Sequence, residues 1–336
     1  MSDTKVTVPP PLLGSSPHIA TPYSTRKIMA GVLFSLAPAS IAGIIFFGIP
    51  ALLTIIVSVA AAELGEFLFR IITRQTPRNR DLSAAITGLL LALIIPPGTP
   101  LWMTALGAVF AIVVAKEFFG GLGANVFNPA LIGRAFLLMS FPAAITSWSM
   151  PAQAGSFTLR AADALSGATP LGILKSGGTL ESLGNNYSGI LKTLFLGYHG
   201  GSIGETSFLA ILTGFIFLLA AKIIDWRTPV CMIAVVFILS FILGRDPVIA
   251  VLGGGLFFGA VFMATDYVTA PFSSKGKIIF GCGAGIIVVL IRQWGAYPEG
   301  VAYSILIMNA FTPFLNKLLP KKYGYVKPVK VKAGAS

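Results

Sequence analysis

Apolar residues run along this chain in long stretches, and short clusters of Gly, Pro, Lys and Arg separate them. A helix needs about 20 apolar residues to cross a bilayer, fewer where it is broken inside protein. On that measure the pattern predicts about ten membrane spans, over 28–47, 50–72, 84–97, 100–118, 127–141, 205–224, 228–244, 247–264, 276–293 and 300–319. The third and fifth are short. Pro96-Pro97-Gly98 and Gly120-Gly121-Leu122-Gly123 lie at their boundaries, as expected of half-helices that end within the protein.

The expected organisation follows: an N-terminal tail over 1–27, a first half over 28–141, a polar interval over 142–204, a second half over 205–319 and a basic tail over 320–336. An equal number of spans on each side of the interval sets the halves in opposite orientation, the condition for two inverted five-helix repeats. At an offset of 175 residues, Leu131-Ile132-Gly133-Arg134-Ala135-Phe136 aligns with Leu306-Ile307-Met308-Asn309-Ala310-Phe311, matching at Leu, Ile, Ala and Phe. If the N-terminus is cytoplasmic, Arg160, Lys175, Lys192, Arg245 and Arg292 fall outside, Arg134 is unassigned within a span, and every other Lys and Arg falls inside. That bias predicts two cytoplasmic termini and an extracytoplasmic 142–204 loop.

Composition agrees, with 55% hydrophobic and 11% charged residues and a mean hydropathy of +0.85; soluble domains carry about 25% charged residues. The net charge of +12 reports topology rather than nucleic-acid binding, because no aromatic residues interleave the basic ones in the recognition pattern. Cys231 and Cys282 sit alone in apolar runs, so the chain has no metal or iron–sulfur ligand cluster of its own. The Pro-rich N-terminus, lacking an apolar core, reads as a cytoplasmic tail and not a signal peptide.

Several polar groups are candidates for chemistry. Glu63 and Glu66 share a helix face, where they could bind a cation or carry protons; alternatively Glu66 pairs with Arg70 one turn on. Asn125 and Asn128 precede Pro129, and the helix starting there would aim its N-terminal amides at an anionic or electron-rich group; Pro is also a plain helix start. Asp266, between Thr265 and Thr269, could meet a cation or a flavin edge, or begin a turn. Asp163-Ala164-Leu165-Ser166-Gly167-Ala168-Thr169-Pro170-Leu171-Gly172 is, taken alone, ordinary turn chemistry. Its functional reading is that Thr169 offers a hydroxyl between small residues, with Asp163 upstream, for enzymatic attachment of a cofactor. No residue is assigned a catalytic role in turnover.

The stretch Asp163–Thr169 resembles the flavinylation signature of the RnfD/NqrB family, membrane components of Rnf electron-transport complexes and of the related sodium-pumping NADH:quinone reductases. Ser16-Pro17-His18-Ile19, Phe119-Gly120-Gly121-Leu122-Gly123, Phe127-Asn128-Pro129-Ala130, Ala264-Thr265-Asp266 and Tyr297-Pro298-Glu299-Gly300 extend the resemblance over nearly the whole chain. Its length and short N-terminal tail are more like the Rnf members of the family than the longer quinone-reductase ones. The resemblance implies a urea-channel-like helical body in a bacterial or archaeal cytoplasmic membrane. It also implies FMN joined by a phosphoester to Thr169 within the motif Asp163, Ser166, Gly167 and Ala168. A noncovalent second flavin, riboflavin in some relatives, is implied too, with Asn125, Asn128 and Asp266 as candidates for it or for an ion path. Implied partners are iron–sulfur and flavin subunits of an Rnf-type complex that moves Na+ or H+, and a flavin transferase during maturation. A cofactor-free channel or transporter for a small polar solute is the competing reading, since inverted halves with broken helices suit it equally.

Overall fold

A computed structural model describes residues 24–76, 81–151, 169–176, 178, 186–295 and 299–317, and these are helical, without a β-strand among them. In chain order the helices are α1 (Thr25–Phe47), α2 (Ile49–Ile72), α3 (Ser83–Ile94), α4 (Leu101–Val113), α5 (Pro129–Ser140), α6 (Pro142–Ile145), α7 (Pro170–Lys175) and α8 (Tyr187–Leu196). Then come α9 (Phe208–Ala220), α10 (Arg227–Ile242), α11 (Pro247–Leu252), α12 (Leu256–Phe258), α13 (Ser274–Trp294) and α14 (Val301–Asn316). Among the described residues, α1, α2, α13 and the stretch Leu101–Phe119, in which a 3-10 turn follows α4, are long and apolar enough to cross a membrane. Large apolar side chains such as Phe34 and Ile72 stand 66% and 77% exposed on α1 and α2, as suits helices whose outer faces meet lipid.

Local signals set the ends. Ser24, Ser207 and Ser273 each cap a helix, accepting from the N–H of Lys27, Ala210 and Gly276. Gly48 takes φ 69, a left-handed angle that reverses the chain between α1 and α2. Helices occupy the expected segments within a few residues, with one difference: the segment expected at 247–264 is not a continuous helix. It breaks at Gly253-Gly254-Gly255, where Gly254 and Gly255 have φ of 67 and 64, into α11, α12 and a π-helical turn over Gly259–Met263. As expected, α3 and α5 are short, at 12 residues each. At 1.5 Å per residue each reaches roughly 18 Å, well under the ~30 Å hydrocarbon core.

The packing repeats itself. In the first half α2 packs on α3 and α4, and α4 on α5; in the second, α10 packs on the π-helical turn and α13, and α13 on α14. α1 meets α9 and α5 meets α14, joining the halves. Part of the interval expected as a loop is buried instead: residues 199–204 enter the body, where the Ile203 and Gly204 N–H groups donate to Ile95 O (3.3 Å) and Leu93 O (2.8 Å). They satisfy the carbonyl end of α3, which stops inside the protein.

Close helix contact depends on small residues. Gly88 on α3 faces α2 so tightly that a Cβ there would stand 2.7 Å from Ser58 O and 2.8 Å from Val59 Cα, while the Ser58 hydroxyl donates to Gly88 O at 2.6 Å. Gly88→Leu is expected to force α2 and α3 apart at a cost of about 1–3 kcal/mol or more. The check is the thermal melting point of the purified protein, which should fall by several degrees; an unchanged value would contradict the packing.

Candidate functional site: two cavities at the ends of a short helix

The helix α5 has a cavity at each end. Asn125, Asn128 and Pro129, before and at its N-terminus, line one; Arg134, Ala135 and Leu138, along its C-terminal half, line the other. The sequence starts α5 where it does because Asn128 caps it: its Oδ1 accepts from the N–H of Ala130 (3.1 Å) and Leu131 (3.3 Å), and Pro129 needs no donor at the first position. This corrects one expectation. The first amides of α5 are not free for a ligand, since the Asn128 carbonyl already takes them.

The larger cavity has a volume of about 550 Å³. Thr169 is 4% exposed in its wall. It caps α7, its Oγ1 accepting from Gly172 N–H at 3.1 Å, with Pro170 at the first helical position. The bland reading of this stretch therefore holds in part, because Thr169-Pro170 is a helix start; the same geometry sets the threonine side chain in the cavity wall. Asp163, Ser166, Gly167 and Ala168 lie outside the described residues. Trp148 and Tyr303 add aromatic surface.

The same cavity is lined by a charge cluster drawn from both halves. Arg134 lies 2.8 Å from Glu299 and 3.6 Å from Glu205, and Ser202 donates to Glu205 at 2.7 Å. These side chains are at most 14% exposed. Gly255 is required beside them, since a Cβ at its left-handed φ would strike the Glu205 carboxylate. Arg292 supports the same region by donating to Ala250 O, Gly253 O and Gly254 O, the carbonyls freed where the helix breaks. Sequence reasoning left Arg134 unassigned and overlooked Glu205; the available signal was an ionisable residue within or at the edge of an apolar span.

At the other end, Asn125, Asn128 and Asp266 line one cavity of about 80 Å³, together with Lys116 and Ser83. Asn125 donates to Phe127 O at 3.2 Å, and Asp266 accepts from the Thr269 hydroxyl at 2.9 Å. Asp266 thus begins a turn and lines a cavity at once. Thr265 also lines the cavity, its hydroxyl donating to Val261 O. A neighbouring space of about 260 Å³ shares Ile224, Thr265, Asp266 and Tyr267 with it.

Behind this cavity Glu66 pairs with Arg70 at 3.5 Å, as its spacing predicted, and the pair belongs to a larger buried network. Lys116 Nζ lies 2.6 Å from both Glu66 and the Ser83 hydroxyl, and Arg70 lies 3.1 Å from Glu117. Glu63 joins none of these ion pairs. Removing one member strands a buried charge, at a cost of about 3–5 kcal/mol. Glu66→Gln is therefore expected to lower thermal stability strongly and Glu66→Gln with Lys116→Met to recover much of it, measured as a double-mutant cycle; additive losses would show that the two do not interact.

These features define a multi-pass helical membrane protein with a buried charged cavity on each side of its core. The family model described as NQR2, RnfD, RnfE matches residues 12–324. The chain is 45% identical over 323 residues to the D component of the proton-translocating ferredoxin:NAD(+) oxidoreductase complex of Clostridium ljungdahlii, covering 93% of this chain and 96% of that one. It is 39% identical over 326 residues to the D component of the Na(+)-translocating ferredoxin:NAD(+) oxidoreductase complex of Acetobacterium woodii, covering 96% and 98%. With the D component of the ion-translocating oxidoreductase complex of Escherichia fergusonii it shares 37% identity over 350 residues, covering 94% and 99%. The chain belongs to the NQR2, RnfD, RnfE family.

Proposed function

We propose that this protein is the flavin-carrying membrane subunit of an Rnf-type, ion-translocating ferredoxin:NAD+ oxidoreductase complex, with FMN esterified through its phosphate to the Thr169 hydroxyl. Thr169 in the wall of a cavity of about 550 Å³ carries the reading, because that volume lies within the ~300–1,000 Å³ range of cofactor sites. The residues suit the group. An ester at Oγ1 still accepts the Gly172 N–H bond, so attachment does not uncap α7. Arg134 lines the same cavity, its guanidinium held between Glu205 and Glu299. Trp148 and Tyr303 offer apolar ring faces. When bound, FMN supplies reversible electron acceptance; the chain supplies position, burial and nearby charge. Electrons enter and leave through other subunits, and Na+ or H+ movement is coupled to that transfer across the complex.

The repeated packing of the two halves supports an inverted repeat of about ten spans, and the Lys and Arg bias supports cytoplasmic termini with Thr169 on the outer side. On that orientation the cavity around Asn125, Asn128 and Asp266 faces the cytoplasm. About 80 Å³ is too small for a whole flavin, but the space adjoining it through Asp266 and Tyr267 brings the pair to flavin scale. We assign the junction to the noncovalent second flavin.

Two outcomes test this. Thr169→Ala is expected to abolish in-gel flavin fluorescence of the denatured protein, while costing only about 1 kcal/mol for the lost cap, and Thr169→Ser is expected to keep it in cells holding the transferase. A fluorescent Ala variant, or a dark wild-type band from such cells, would overturn the anchor, and the dark band would favour the transporter reading. Acid precipitation separates the second flavin: Asn125→Leu should remove the soluble fraction and spare the precipitated one. Absence of acid-soluble flavin from the wild-type complex would end that assignment.

A further inference from the structure

The glycine-rich break before α12 receives two side chains from other parts of the chain. One is Leu171, two residues after Thr169. A Cβ at Gly253 would stand 3.2 Å from Leu171 Cγ and 3.5 Å from Leu171 Cδ2, and a Cβ at Gly254 would overlap Leu171 Cδ1. The other is Glu205, whose carboxylate takes the room beside Gly255. Arg292 fixes the shape of this notch by donating to Gly253 O at 3.2 Å and Gly254 O at 3.3 Å. Leu171 therefore sits over a backbone that is itself held.

α7 needs such a seat. It has six residues, and isolated helices shorter than about 12 residues are marginal. Its cap, the bond from Gly172 N–H to Thr169 Oγ1, lies within the helix and does not fix where the helix lies. Farther along, Ile173 and Leu174 pack against the Leu194 and Ile249 cluster, and Lys175 donates to Gly295 O. Of these contacts, the one in the notch is nearest to Thr169 in sequence. We infer that Leu171 is the positioning residue of the anchor: seated over Gly253 and Gly254, it sets the rotation of α7 that keeps Thr169 in the cavity wall and only 4% exposed. Three successive glycines then register both the anchor helix and the carboxylate of the charge cluster in one cavity. The functional meaning of this seating rests on Thr169 being the flavin anchor; the seating itself does not.

Labelling at position 169 reads the seating without flavin. In the whole complex carrying Thr169→Cys, a water-soluble maleimide should alkylate that thiol slowly. Adding Leu171→Ala should speed the reaction about tenfold, through local opening of a helix that has lost its seat, and adding Leu171→Met should leave it slow. Peptide mapping separates this label from any on Cys231 and Cys282. Equal rates with and without Leu171→Ala would overturn the inference, whatever Thr169 carries. In protein with Thr169 intact, Leu171→Ala should change the visible circular dichroism of the tethered flavin and shift its reduction potential, and Leu171→Met should keep both at their wild-type values. A melting point lowered by Leu171→Ala, with dichroism and potential unchanged, would reduce Leu171 to plain packing and also overturn the inference. A wild-type protein without tethered flavin would end the anchor reading, and the labelling rates alone would then decide the seating.

Discussion

A helix that stops inside a membrane protein leaves backbone carbonyls or N–H groups that lipid could not satisfy, and this protein stops several helices in its interior. Each break is closed by a different device. The end of α3 receives the Ile203 and Gly204 N–H groups from a buried loop; the start of α5 is capped by the Asn128 side chain; the break before α12 gives its carbonyls to Arg292. Cavities exist because these ends meet inside the protein instead of running through it.

The charges follow from the same arrangement. Space between broken helices is polar enough to hold ionisable groups, provided each finds a partner, and two clusters meet that condition on opposite sides of the core. Glu66, Arg70, Lys116 and Glu117 tie α2 to the turn after α4 within the first half. Arg134, Glu205 and Glu299 instead take one residue from the first half and two from the second. The second cluster lies in the cavity that holds Thr169 in its wall. A cofactor tethered there would sit where the halves meet, so a small relative movement of the halves would change the electrostatic surroundings of the cofactor. That is a physical route by which redox state and helix arrangement can be coupled in a family whose relatives are named as ion-translocating.

Thr169 caps a short helix that lines a large cavity on one side and a small cationic pocket on the other. The smaller cavity is made differently, from an Asn cap, a turn carboxylate and a buried lysine. Family membership accounts for the common fold over nearly the whole chain; the geometry shows which of its polar residues line space and which are spent on backbone.

The pattern of apolar stretches determined the helices, their order and their approximate ends, because burial in lipid demands long apolar runs and positive charge gathers at their flanks. It also exposed the short third and fifth spans, the Glu66–Arg70 pair one turn apart, and the grouping of Asn125, Asn128 and Asp266 as candidates. Tertiary structure decided what spacing along the chain cannot express. Glu205 and Glu299 belong with Arg134 although long stretches of chain separate them, and the start of α5 is spent on its own Asn128 cap. The glycine-rich break before α12 read as continuous span, because hydropathy records how apolar a residue is and not the φ angle its backbone must adopt beside a buried carboxylate. Composition and periodicity govern what enters the membrane; only the fold brings distant charges together, and burial then makes their pairing compulsory.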